Sequence, residues 1–391
     1  MTSEHLSRTV EILDRLIAFP SVSADSNLAL IEYAAGLLED SGAHVKISQD
    51  ETGRKANLFA TLGPRCSGGL VLSGHTDVVP AGETQWQSDP FTLRAAQERL
   101  YGRGTCDMKG FIAAVLARMP DYAALDLKRP LHVALTYDEE VGCFGARHLV
   151  EELRQSDIRP AIAIIGEPTE MRVIEGHKGC YEYTTSFHGT DGHGSEPDKG
   201  VNAIHVAAAF IGRMMDLAHD LQRRAGPDSV RFNPPWTTLQ VGKIEGGSAR
   251  NVIARNCAVE WEMRPVREDD ARLVKSALET YCRDVLLPRM RAVYPQADIV
   301  TEVIGEVTGL AVTSENEARD IVAALTGENL CDVVAFGTEA GLFQALGMSV
   351  VVCGPGSIAQ AHQPDEFVSL EQLEKCHAML SGLERTLVRP A

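Results

Sequence analysis

Four short apolar runs in this chain each lead into a residue able to bind metal. Leu70-Val71-Leu72-Ser73-Gly74 leads into His75-Thr76-Asp77, and the run 131–136 into Tyr137-Asp138-Glu139-Glu140. The run 161–165 leads into Gly166-Glu167-Pro168, and 349–353 into Gly354-Pro355-Gly356 and a loop that carries His362. A fifth candidate, Asp107, lies in the Gly-rich turn 101–110. Two imidazoles, His75 and His362, with three carboxylates, Asp107, Glu140 and Glu167, suit a pair of borderline divalent cations such as zinc or cobalt, one carboxylate bridging. An all-oxygen set would point to calcium or magnesium instead. Two such ions about 3.5–4 Å apart activate a water and polarise a carbonyl oxygen, which is the work that amide hydrolysis needs. In extended backbone Asp77 points the same way as His75, and a carboxylate behind an imidazole is the usual support of a metal-bound histidine. Glu139, next to Glu140 but aimed differently, is the candidate proton shuttle.

Each piece has an ordinary reading when taken alone: a core histidine with a strand-end aspartate, an N-cap at Asp107, a solvated Glu-Glu pair. Repetition after four apolar runs is what surface acids do not explain. Unbroken runs of this kind read as strands buried on both faces of a parallel sheet, where ligands lie beyond the carboxyl ends. Around them the pattern predicts an amphipathic helix over 1–19, a helix over 29–41, strands at 45–47 and 57–62, a loop over 80–90 and a helix over 111–119. From about 179 to 307 the texture changes. Strand 181–188, helix 201–217, strands 237–244 and 256–263, helix 269–285 and strand 298–303 follow the ferredoxin-like order. The expected organisation is a discontinuous domain, 1–178 and 308–391, with 179–307 inserted into it. No internal repeat or low-complexity tract is visible.

At 391 residues two domains are the default, and 44% apolar with 23% charged residues is a globular composition. The 54 acidic against 37 basic side chains, a net −17, argue against nucleic acid or an anionic membrane as partner. The nine cysteines are scattered and never spaced Cys-x-x-Cys, as expected of reduced thiols. Residues 1–19 interleave charges with apolar positions, unlike a signal peptide, and no window is apolar enough to span a bilayer. The expected location is the cytoplasm.

The chain resembles the M20 family of dinuclear zinc amidohydrolases over essentially its whole length. The resemblance is carried by Ser73-Gly74-His75-Thr76-Asp77, the turn 104–110, Asp138-Glu139-Glu140, Gly166-Glu167-Pro168-Thr169, Gly192-His193 through Gly200-Val201-Asn202-Ala203-Ile204, Gly337-Thr338-Glu339-Ala340, and Gly354-Pro355-Gly356-Ser357 through Ala361-His362-Gln363-Pro364-Asp365-Glu366. The last three point to the branch that removes acetyl from an amino acid. The resemblance implies an α/β fold, a zinc-peptidase-like mixed and largely parallel sheet sandwiched by helices, with a ferredoxin-like insert serving as lid and dimerisation domain.

It also implies two Zn2+ per subunit, with Co2+ able to substitute. His75 and Glu167 would hold one ion, Glu140 and His362 the other, and Asp107 would bridge. Asp77 would orient His75, Glu139 would be the general base, and His193 would donate to the oxyanion in the partner subunit's site of a homodimer. The substrate is expected to be a small N-acyl amino acid, its α-carboxylate met by Asn251 and Arg264. Arg264 has a rival reading as a surface salt bridge. Glu339 faces a cationic substrate end or caps a helix. Gly341 and Gly194 depart from the branch pattern at positions where proline and a small hydroxyl residue are expected. Other N-acyl amino acids, succinyl-diaminopimelate or a dipeptide are alternative substrates, although Glu167, where dipeptidase branches tend to carry aspartate, leans against the last. A metal-bound binding protein without activity is the alternative of another class, but such a chain should have lost the base or a ligand.

Overall fold

The computed structural model describes residues 4–82 and 85–389, with Asp228 described by its backbone alone. Residues 1–3 of the expected first helix and 83–84 of the expected 80–90 loop lie outside that description. The chain divides into two compact units, one of Met1–Gly176, Val312–Asp332 and Thr338–Ala391, the other of His177–Ala311 and Val333–Gly337.

The apolar runs form the middle of an eight-stranded sheet. Its order is His44–Gln49, Ala56–Leu62, Leu131–Thr136, Leu70–His75, Ile162–Pro168, Ser349–Gly354, Ile174–His177 and Asp332–Val334. Leu131–Thr136, Leu70–His75, Ile162–Pro168 and Ser349–Gly354 are mutually parallel, so their carboxyl ends share one edge. The strands that flank these four pair antiparallel, which makes the sheet mixed.

Side chains alternate between the two faces. Leu70, Leu72, Leu131, Val133, Leu135, Ile162 and Ile164 join one cluster with the helices Glu4–Ile17, Leu28–Asp40, Lys109–Ala123 and Leu370–Leu387. The alternate positions Val71, Ser73, His132, Ala134, Ala163 and Ile165 are buried too, toward the side of Phe144–Gln155 and Ala340–Gln344. Burial of both parities is why these strands read as continuous apolar runs rather than as alternating ones.

Expected strand 161–165 extends through Pro168. Val352 pairs with Ile165 and Gly354 with Pro168, so Gly166-Glu167 stands opposite the single residue Cys353 as a bulge. Gly166 is required there, because a Cβ would meet the ring of Phe111 at 2.0 Å. Expected helix 269–285 is found as Glu268–Tyr281, continuing through a wider turn at Cys282–Leu286 into Leu287–Arg291. A small sheet that the apolar pattern does not announce joins Phe367–Ser369, Arg99–Tyr101 and Arg94–Ala96, each too short to show a period.

In the second unit, Thr238–Gly246, Asn256–Arg264, Cys180–His188 and Asp298–Val307 form an antiparallel sheet in that order, the ferredoxin-like arrangement. The helices Ala203–Arg223 and Glu268–Tyr281 cover one face through Phe187, Phe210, Val259, Trp261, Met263 and Val274. All nine cysteines are free thiols. No helix among the described residues is long and apolar enough to cross a membrane.

Candidate metal centre

The shared edge of the four parallel strands gathers the candidate ligands. His75, the last residue of its strand, is 1% exposed; its Nε2 lies 3.0 Å from Asp107 Oδ1 and 3.7 Å from Glu167 Oε1. His362, half exposed and in the left-handed region at φ 62°, sets Nε2 3.3 Å from Asp107 Oδ2 and 3.1 Å from Glu140 Oε2. Asp107 therefore offers one oxygen to each imidazole. Ligand atoms of His75, Asp107 and Glu140 lie within 4.8 Å of one another, and so do those of His75, Glu139 and Glu167.

Charge in this cluster is poorly balanced. Burial pushes the carboxyls of Glu167 and Glu140 up, and the nearby Asp107 pushes them further. Burial raises Glu139 to about 8, with His75 opposing and Glu140 and Asp107 adding to the rise. Burial alone would lower His75, but Asp107, Asp77 and Glu167 outweigh it and leave the imidazole well above its ordinary value. Hydrogen bonds to Asp107 and Glu140 raise His362 to about 10, and burial of Asp107 is outweighed by its two histidine partners, which hold it low. Glu167 Oε1 is buried without a hydrogen-bond partner, a costly state for an anion. Four carboxylates, two imidazoles and an unpartnered oxygen fit a pair of divalent cations in both donor type and charge.

Asp77 supports this cluster in more than one way. His75 Nδ1 lies 2.9 Å from the backbone oxygen of Asp77 and 3.6 Å from its carboxylate. That carboxylate also accepts from Ser23 Oγ (2.7 Å) and from the backbone N–H groups of Glu139 (3.0 Å) and Glu140 (3.3 Å). It thus ties the His75 strand to the Glu139-Glu140 turn. Lys55 clamps the preceding Asp138, which sits at φ 54°, with Nζ 2.6 Å from Oδ2. The sequence shows His-x-Asp but not these partners, which come from other elements.

Glu339 occupies the N-cap position of Ala340–Gln344, yet its side chain caps no backbone N–H. It is 1% exposed and accepts from Ser73 Oγ (2.5 Å) and Thr136 Oγ1 (2.8 Å), on two of the parallel strands. The helix-cap reading of Glu339 therefore gives way to a buried brace between the strand that bears His75 and the strand that leads to Glu139. In the second unit, Nδ1 of the exposed His193 lies 2.7 Å from Ser195 Oγ and accepts the backbone N–H of Ser195 at 3.2 Å, an arrangement compatible with a proton on Nε2. His193 bridges to Val252, and Gly194 N–H donates to Asn251 O at 2.8 Å, so His193 and Asn251 are neighbours. Arg264 stands at the far end of the Asn256–Arg264 strand, on the order of 30 Å away at roughly 3.3 Å per residue. Its Nε and NH2 both donate to Glu262 Oε2, at 3.0 and 2.7 Å. Asn251 and Arg264 of one subunit cannot hold the same small carboxylate.

The sequence profile of peptidase family M20/M25/M40 matches residues 71–385. The chain belongs to this family. As an M20 protein it is a hydrolase acting on amide bonds. It is 37% identical over 379 residues to an acetylornithine deacetylase of Klebsiella pneumoniae, covering 95% of this chain and 96% of that one. A protein of the same name from Photorhabdus laumondii is 36% identical over 381 residues, 96% of each chain. Among solved structures, aminopeptidase PepT of Bacillus cereus superposes with a TM-score of 0.73 at 17% identity, covering 98% of this chain and 99% of that one. The Bacillus subtilis YXEP protein, described as a dinuclear metal binding peptidase from the M20 family, gives 0.65 at 15% identity, with 98% of each chain covered. At such identities the structures show the shared fold. M20 enzymes are dinuclear metal proteins, and the cluster around Asp107 gathers the candidate ligands of this chain.

Proposed function

We propose that this M20 hydrolase removes the acetyl group from N2-acetyl-L-ornithine, giving L-ornithine and acetate, a step of arginine biosynthesis carried out in the cytoplasm. The observation that carries the reading is the 37% identity, across nearly the whole of both chains, to an acetylornithine deacetylase, in a chain whose candidate ligands and candidate base lie together at one sheet edge. His75 and Glu167 would hold one ion and Glu140 and His362 the other, with Asp107 between. A zinc pair, or cobalt in its place, supplies an activated water and polarises the acetyl carbonyl when bound.

Glu139 accepts the proton of the attacking water and returns it to the departing amine, so that carbon–nitrogen cleavage leaves a neutral amine and acetic acid, whose remaining proton passes to the amine or to solvent to give acetate. The Nε2–H of His193 donates to the oxyanion that forms on the carbonyl oxygen. His193 and Asn251 act in the partner subunit's site of a homodimer joined through residues 179–307, and Arg264, whose Nε and NH2 already donate to Glu262, meets the α-carboxylate through its remaining N–H groups. The edge strand Asp298–Val307, with Val300, Val303 and Ile304 exposed, is consistent with such pairing. Mixing H193A and E139Q subunits should restore activity that neither variant has alone; no recovery contradicts action in trans.

Substrate identity is tested by comparing kcat/KM for N2-acetyl-L-ornithine, other N-acetyl amino acids, N-succinyl-diaminopimelate and dipeptides with zinc or cobalt added. Acetylornithine should lead. No turnover of it beside good turnover of another substrate would overturn the assignment within the family.

A further inference from the structure

Glu366 lies four residues beyond His362 and is 1% exposed. Its Oε1 accepts the backbone N–H groups of Cys106 (2.9 Å) and Asp107 (3.1 Å). Its Oε2 accepts the N–H of Gly104 (3.0 Å) and NH1 of Arg103 (2.7 Å). The backbone reinforces the contact: Gly102 N–H donates to Glu366 O at 2.9 Å, and Phe367 pairs with Tyr101. A buried ion pair with Arg103 is the ordinary explanation of such a carboxylate, but it accounts for one bond of the four. The other three hold the backbone of the turn that ends in Asp107.

That turn needs holding. Gly104 sits at φ +85°, and a Cβ there would meet Val78 at 2.7 Å, so the segment is fixed neither by helix nor by sheet and passes close to its neighbours. The Asp107 carboxylate must nevertheless present one oxygen 3.0 Å from His75 and the other 3.3 Å from His362.

We propose that Glu366 is a positioning residue for the metal pair: by gathering the amides of Gly104, Cys106 and Asp107 it sets the Asp107 carboxylate between His75 and His362. Because Glu366 follows His362 on the same loop, one carboxylate couples a ligand of the second ion to the bridging ligand. Partners of this kind are worth roughly 10- to 100-fold in metal affinity. The inference rests on the two-ion reading of the site.

Glu366→Gln is the informative change. It keeps the shape but replaces one acceptor oxygen with an NH2 group that would face two donors. The full-length protein, stripped with a chelator and checked for folding by circular dichroism, is titrated with Co2+ alone below the melting temperature of each apoprotein. Bound ions and the visible cobalt spectrum are read. Glu175→Gln is the control, since Glu175 is also buried and is paired with Arg319 at 3.0 Å. The parent and E175Q should bind two Co2+ per chain with the same spectrum. E366Q should bind at least one of them roughly 10- to 100-fold more weakly, with a changed spectrum. Unchanged affinity and spectrum in E366Q, whatever its melting temperature, overturn the inference, as does an equal loss in E175Q. A parent that takes up no cobalt pair overturns the two-ion reading and the inference with it. If E366Q does not fold, E366D, whose carboxylate is one methylene short, is read in the same way.

Discussion

Glu139 and Glu140 are identical side chains on adjacent residues, and their surroundings give them different work. Glu140, 8% exposed, is hydrogen-bonded to His362 and sits among the candidate ligands. Glu139 has no imidazole partner at hydrogen-bond distance; Cys143 Sγ lies 3.5 Å from its Oε1, and burial pushes its pKa up to about 8. Two divalent charges beside it would favour the carboxylate form, which suits a group that takes a proton and gives it back. Glu139→Gln should therefore lower hydrolysis by roughly 10²- to 10⁴-fold while leaving the bound metal in place. A variant that keeps its metal and works as well as the parent would remove Glu139 from the mechanism. Both glutamates are legible in the sequence because they follow an apolar run. The grip of Asp77 on their amides is not, since it joins residues more than sixty positions apart.

At the scale of elements, the strands that carry ligands are long apolar runs buried on both faces, and that made them readable. Strand Leu131–Thr136 was expected over the same residues; the Gly166-Glu167 bulge and the three-residue strands were not, because a two-residue irregularity or a three-residue ladder leaves no period. The brace made by Glu339 was invisible for a different reason: nothing local distinguishes a helix-cap glutamate from one bonded to two strands.

The same central strand buries His132 between Phe59, stacked at 5.0 Å, and Thr61, whose Oγ1 lies 2.9 Å from Nδ1. Burial lowers its pKa to about 4. Unfolded, it would titrate near 6.5, so between about 6.5 and 4 the unfolded chain takes up a proton that the folded one refuses. The contribution of neutral His132 to stability is complete above pH 6.5 and is lost as the pH falls through that window, at up to about 1.4 kcal/mol per pH unit. The gap in unfolding free energy between parent and H132Q should narrow over this range. A gap that stays constant between pH 7 and 4 would contradict the account.

For the molecule as a whole, function depends on order across the sheet rather than along the chain. The candidate ligands at positions 75, 107, 140, 167 and 362 meet because four parallel strands end at one edge, while the second unit forms its own antiparallel sheet. The repeated strand-end pattern announced this convergence. What the sequence left hidden was the hold on Asp107, whose turn is fixed by Glu366 from the far end of the chain. A net charge of −17 leaves the protein rich in acids overall, but the buried acids around Asp107 are the ones that a cation must neutralise. The most direct test is a crystal of the zinc- or cobalt-loaded protein measured across the metal absorption edge. Two anomalous peaks per chain should flank the Asp107 carboxylate, one beside His75 and Glu167, the other beside Glu140 and His362. No peak there, or a single peak that leaves either group of side chains without an ion, would contradict the account.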